Sequence, residues 1–148
     1  SHIHDNVCGA GNHHGGQVVA VDISPRMMRD LVKLAERRQG LVPVLADARN
    51  PLAIAPYIRG KADWLHQDLS IGNQAETFVK MTSVFLKEGG TALLSLKAAS
   101  ERWMEGGDDA RFEHTKSIIE DCEHLELLEV IDISVFEEQH AVFHCVRI

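Results

Sequence analysis

The sequence predicts an α/β fold built on an open, mostly parallel sheet with helices on both faces. Three observations carry that expectation. From Gln17 onward, short β-branched runs alternate with helical periods of about a dozen residues, the pattern of βαβ units. The first clear run, Gln17 to Asp22, is continuously apolar up to its final aspartate, as expected of a strand covered on both faces. The 148 residues are 45% hydrophobic and 25% charged, enough for a core in one domain spanning 1–148.

The elements follow in order. Ser24 sits where an N-cap belongs and Pro25 at the first helical position, with apolar residues at Met27, Met28, Leu31, Leu34 and Ala35 before a stop near Gly40. A second strand is expected from Leu41 to Ala46, where Pro43 lacks a donor and suggests a sheet edge. A helical piece around Leu52 to Ile58 leads to a third strand, Ala62 to Asp68. After Gly72 and Asn73, the spacing of Phe78, Val79, Thr82, Phe85 and Leu86 predicts a helix ended by Gly89-Gly90. Thr91 to Lys97 is the fourth strand, and Ser100 to Gly107 a loop. Asp108 and Asp109 are candidate caps of a helix facing inward through Phe112, Thr115, Ile118, Ile119 and Cys122. Leu125 to Ile133 and His140 to Ile148, linked around Phe136 to Gln139, suggest an antiparallel hairpin. At the start, Ser1 to Val7 reads as a helical remnant and Cys8 to Gly16 as a Gly/His loop.

Composition limits the function classes. No apolar run reaches the roughly 18 residues of a membrane span, and no basic-then-apolar leader opens the chain. A soluble, cytosolic protein is expected. Fifteen basic against 22 acidic residues give −7, the wrong sign for gripping nucleic acid unaided. An RNA role therefore requires a local basic strip or a partner. Cys8, Cys122 and Cys145 suit neither a disulfide framework nor a zinc site, and the crowding of His2, His4, Cys8, His13 and His14 matches no metal-ligand spacing. No metal is expected, and these five residues read as an exposed segment. Gly9-Ala10-Gly11 resembles half of a dinucleotide fingerprint with no strand before it. The stripe Arg26, Arg29, Lys33 and Arg37 reads as a solvated helix face or an RNA contact.

In doubly wound sheets ligands sit beyond the carboxyl ends of the strands, which singles out Asp22, Asp47, Asp68 and Lys97. Asp22 can accept both ribose hydroxyls of a nucleoside cofactor, or simply cap a strand end. Asp47, followed by the small Ala48, can accept from an adenine amino group, or start an Asp-x-x-x-Pro turn. Asp68 and Lys97 end strands expected to be neighbours, where they can orient a hydroxyl and assist loss of its proton, or form a structural ion pair.

With these residues in place the sequence resembles fibrillarin, in particular its archaeal form, from Gln17 to Arg147. The likeness is carried by the segment from Val18 to Arg26, by Leu45 to Pro51, by Lys97-Ala98 and by Gln139 to Val142. The resemblance implies a class I, Rossmann-like methyltransferase fold. It further implies that S-adenosylmethionine is used to methylate ribose 2′-hydroxyls of rRNA, or of rRNA and tRNA both, under box C/D guide RNAs. The implied partners are guide and target RNA, a Nop-domain scaffold and a kink-turn-binding protein. The implied location is the cytoplasm of an archaeal cell, or the nucleolus of a eukaryotic one.

Carried onto this chain, Asp22 holds the cofactor ribose, Ile23 packs on adenine, and Asp47 and Ala48 meet the adenine edge. Asp68, Lys97 and His140 match three of the family's Lys-Asp-Lys-His catalytic set, and Asp68 and Gln74 are carried as cofactor contacts. The loop from Leu69 to Gln74 otherwise departs from the family's Ala-Gln-Pro-Asp-Gln. The first lysine, the first strand and the Gly-rich motif fall upstream of Ser1 in relatives, so the domain is expected to be N-terminally incomplete. Competing readings are a non-catalytic assembly module, another class I methyltransferase, and an NAD-dependent oxidoreductase, which leaves Lys97 and His140 without a role.

Overall fold

The computed structural model describes residues 2–9 and 15–148. The chain divides into two compact units, Ser1–Arg59 and Gly60–Ile148, and each is taken by itself. No helix among the described residues is long and apolar enough to cross a membrane.

The first unit holds α1 (His2–Cys8), β1 (Val18–Asp22), α2 (Pro25–Ala35), β2 (Leu41–Leu45) and α3 (Pro51–Ile54), extended by a 3₁₀ turn at Ala55–Tyr57. β1 and β2 pair in parallel from Val18 opposite Leu41 to Asp22 opposite Leu45. Both strands therefore deliver their carboxyl ends to one edge. Ser24 caps α2 as expected, accepting from the Met27 amide, and Pro25 opens the helix. Met28 packs inward, whereas Met27 is exposed, a departure from the expected apolar face. The opening segment also departs from an exposed reading. His4 is buried and its Nε2 lies 2.7 Å from the Gln39 carbonyl, while the buried Cys8 thiol donates to the Gly16 carbonyl. Ala10, Gly11, His13 and His14 lie outside the described residues.

In the second unit, β3 (Ala62–Asp68), α4 (Gln74–Phe85), β4 (Leu86–Lys97), α5 (Gly107–Glu120), β5 (Leu125–Asp132) and β6 (His140–Arg147) make a four-stranded sheet in the order β3-β4-β6-β5. β3 and β4 are parallel, and β6 runs antiparallel to both β4 and β5. The expected hairpin is present. The strands form two hydrogen-bonded sets, since β1 pairs only with β2 and β3 only with β4 among the described residues. The same pairing leaves β1 half-buried along its length, contrary to its continuously apolar sequence.

One face of the larger sheet is the core. Ala92, Leu94 and Leu96 of β4 and Ala141, Phe143 and Cys145 of β6 pack there with Phe78 of α4 and Ile119 of α5. Burial pushes the Cys145 thiol up to about 12, with Cys122 adding to the shift, so it is inert packing at neutral pH. Gly89-Gly90 does not separate helix from strand as expected. α4 ends at Phe85 and β4 begins at Leu86, with the two glycines inside an irregular stretch between the Ala62 and Trp64 pairings. Gly89 has φ +73°, and a Cβ on Gly90 would meet the Lys87 carbonyl at 2.8 Å, so an irregular ladder replaces a helix stop. Likewise Gly106, at φ +103°, occupies the N-cap of α5, and Asp108 and Asp109 lie in its first turn. There they face the positive end of the helix dipole, and Asp108 pairs with Arg111. At the C-terminal end of α4, the Arg147 guanidinium donates to the carbonyls of Thr82, Ser83 and Leu86, tying the last turn of the helix and the first residue of β4 to β6.

Candidate active site

Lys97 and His140 are direct cross-strand partners in the antiparallel β4–β6 ladder, which holds such Cβ atoms roughly 4.5–5.5 Å apart on one face. Alternation decides which face. Ala92, Leu94 and Leu96 point into the core, so Leu93, Ser95 and Lys97 point away from it. Asp68, the last residue of β3, is the partner of Ser95 and so shares that face. The topology thus brings Asp68, Lys97 and His140 to one end of one sheet surface.

Asp68 and Lys97 form no ion pair, so the structural-pair reading is not what the geometry shows. The Lys97 side chain is half-buried and its amine has no partner among the described residues. His140 Nδ1 lies 2.8 Å from the Glu138 carbonyl. A carbonyl only accepts, so Nδ1 carries a hydrogen. The ring's Nε2 is 3.6 Å from Glu137. Behind Asp68 on the same strand, burial pushes the His66 imidazole below its ordinary value, with the Asp68 carboxylate opposing, and His66 Nε2 meets the Ser95 hydroxyl at 2.8 Å.

Gln74 braces the backbone at Lys97. Expected at the cofactor, it is fully buried as the first residue of α4. Its Oε1 accepts from the Lys97 amide at 3.1 Å, and its Nε2 donates to the Lys97 carbonyl at 3.0 Å and to Glu101 Oε1 at 3.0 Å. The side chain therefore clasps both sides of the Lys97 backbone, with both of its N–H donors engaged. Sequence reasoning missed Glu101. This carboxylate, 5% exposed, also accepts from the amides of Gln74 and Asn73 and from the Trp103 indole. It takes over the capping of α4 that Asn73, at φ 56° and with no side-chain cap bond, does not supply. No local signal in Ser100-Glu101-Arg102 announces that role, because the partners lie 27 and 28 residues earlier.

In the first unit, the paired ends of β1 and β2 bring Asp22, Ile23, Asp47 and Ala48 to one edge, with the Ala46 amide donating to the Asp22 carbonyl. Asp22 Oδ1 accepts from the Ser24 amide at 2.7 Å, and Oδ2 keeps its acceptor capacity. The residue borders a cavity of about 270 Å³ with Met27, Asp30, Leu31 and Leu34. Ile23 is 65% exposed, open to contact from outside. Asp47 closes the Asp-x-x-x-Pro turn: its carboxylate accepts from the Arg49 amide and guanidinium at 2.7 to 3.1 Å, its carbonyl from Asn50, and Pro51 begins α3.

Arg49 holds the Asp47 carboxyl down at about 2, well below the usual carboxylate range. A depressed folded-state value adds stability above the ordinary pKa that is lost as pH falls toward 2. Carbon NMR titration of Arg49→Gln is expected to move Asp47 part of the way back toward its ordinary value, because the amide at position 49 still donates to the carboxylate; an unmoved titration would show that the guanidinium is not the main cause.

Comparison with known proteins adds the following. The fibrillarin family model matches residues 1–148. A fibrillarin-like rRNA/tRNA 2′-O-methyltransferase of Methanocaldococcus jannaschii is 32% identical over 128 residues, covering 86% of this chain and 54% of that protein. The chain thus spans about half the length of such relatives. Aeropyrum pernix fibrillarin with natively bound S-adenosyl-L-methionine superposes with a TM-score of 0.75 at 29% identity, over 88% of this chain and 56% of that one. A chain of a fibrillarin/Nop5p complex gives 0.79 at 24% identity, over 93% and 65%, a likeness of fold. The α/β, class I methyltransferase architecture expected from the sequence is the architecture these neighbours share.

Proposed function

The chain belongs to the fibrillarin family, and from that premise we propose that it carries part of the machinery for methylating RNA ribose 2′-hydroxyls with S-adenosylmethionine. The targets are rRNA and tRNA, selected by a box C/D guide RNA, with a Nop-domain scaffold and a kink-turn-binding protein in the particle. The archaeal relatives favour action in the cytoplasm. The observation carrying the reading is the union of Lys97, His140 and Asp68 at one end of one sheet face.

The residues present fit an adenosyl group. Asp22 keeps an acceptor oxygen for a ribose hydroxyl and Ile23 presents an exposed apolar side chain for a ring face. Asp47 with Ala48 fits an adenine edge once Arg49 gives up part of its hold. The cofactor supplies an electrophilic methyl on a sulfonium, whose departure as a neutral thioether needs little help. The protein's share is therefore alignment and the hydroxyl proton. Lys97 faces the 2′-hydroxyl, Asp68 orients it, and His140 supports the pair electrostatically.

The full-length protein in its particle is expected to transfer a labelled methyl to RNA in alkali-stable form, since a 2′-O-methyl removes the neighbouring nucleophile that cleaves RNA in base. Label recovered only as alkali-released mononucleotides would mean base methylation and end the proposal.

A further inference from the structure

We propose that the cleft lined by Lys97, Arg102, Ser70, Ser100 and Gly72 binds a backbone phosphodiester of the RNA strand being methylated, with Arg102 as its principal anchor. This rests on the reading of Lys97 given above.

The cleft holds two cations and two hydroxyls, and no carboxylate lines it. That is a local reversal on a chain with net charge −7. Arg102 Nε donates to the Ala99 carbonyl at 3.3 Å. The guanidinium is thereby steadied while its two terminal amino groups, like the Lys97 amine, have no partner among the described residues. Such a fork matches two oxygens of one phosphate. The neighbouring Glu101 forms no ion pair with it: its oxygens are turned to Asn73, Gln74 and Trp103. The volume, about 270 Å³, falls just under the roughly 300–1,000 Å³ of small-molecule pockets. It has room for one phosphate and its sugar on a strand passing through.

A separate feature selects nucleic acid over a free anion. Trp103 is 54% exposed and stands beside the cleft, since a Cβ on Gly72 would lie 3.6 Å from its Cδ1. Its indole is fixed by Glu101 and by an edge contact to His114, centroids 5.4 Å apart. An ordered, half-open indole next to a phosphate seat is a platform for a base. An inorganic anion or a carboxylate has no use for it.

The test is methylation kinetics of the full-length protein in its particle with an RNA substrate, together with calorimetric titration of S-adenosylmethionine. Arg102 is exposed, so its replacement leaves the fold intact. Arg102→Ala is expected to raise KM for RNA about tenfold and to lower the salt slope of log KM by about one, with cofactor affinity unchanged. Arg102→Lys should recover part of the loss. Lys116→Ala, on α5 in a surface pair with Glu120, removes the same charge and should leave KM alone. An unchanged KM in Arg102→Ala, an equal rise in Lys116→Ala, or a loss of cofactor affinity in place of RNA affinity overturns the inference. Those results would leave the reading of Lys97 standing; normal turnover by Lys97→Ala would instead remove the reading beneath it.

Discussion

Lys97→Ala in the full-length protein is expected to lower kcat for methyl transfer by at least about a hundredfold, the low end of what a positioned proton-handling group contributes. Calorimetry should find S-adenosylmethionine affinity nearly unchanged. The truncation is clean because the fold holds Lys97 by its backbone: Gln74 bonds to its amide and carbonyl, and neither bond involves the side chain. Lys97→Arg separates two roles of the amine. It keeps a positive charge but cannot lose its proton near neutrality. Turnover retained by Arg assigns an electrostatic role, whereas loss in both variants assigns proton transfer. Near-normal methylation by Lys97→Ala would dismiss the proposed site.

Glu101→Gln is expected to be the most damaging conservative replacement for stability. The wild-type carboxylate presents acceptors to four N–H groups, two from the backbone before and at the start of α4, one from Gln74 and one from Trp103. An amide points a donor at donors on one side. Leaving buried donors unpaired costs about 1–3 kcal/mol, and the network loses at least one such bond in any amide orientation. A loss of about 3 kcal/mol lowers the thermal midpoint by roughly 6–12 °C for a domain of this size. Scanning calorimetry reads the shift, and an unchanged midpoint would show that the network is solvated. Because Glu101 also steadies the residue that clasps Lys97, kcat measured well below the midpoint should fall as well. A purely global stability effect would leave that rate untouched.

Periodicity made most of the architecture legible. The Ser24-Pro25 start of α2, the runs that became β1 to β3, and the closing hairpin all came from local signals that the tertiary structure did not override. The end of α4 did not, because Gly89-Gly90 has the chemistry of a helix stop and equally of a strand irregularity, and only the pairing with Ala62 and Trp64 distinguishes them. At the site, Asp68 and Lys97 were legible as strand-end polar residues, but His140 needed the family resemblance. Glu101 and the buried role of Gln74 were invisible, since each is defined by partners 23 to 28 residues away. A helix N-terminus capped from a distant loop leaves no trace in its own neighbourhood.

The pairing of β6 with β4 has an evolutionary corollary. Seven successive partners, from Thr91 with Val146 to Lys97 with His140, fix the backbone that carries the imidazole, while Glu137 and Glu138 hold the ring itself. Residues 133–136 can therefore lengthen or shorten in descendants without moving it. A single codon gained inside the strand itself would turn every later side chain inside out, so drift is permitted in the connector and forbidden a few positions further on.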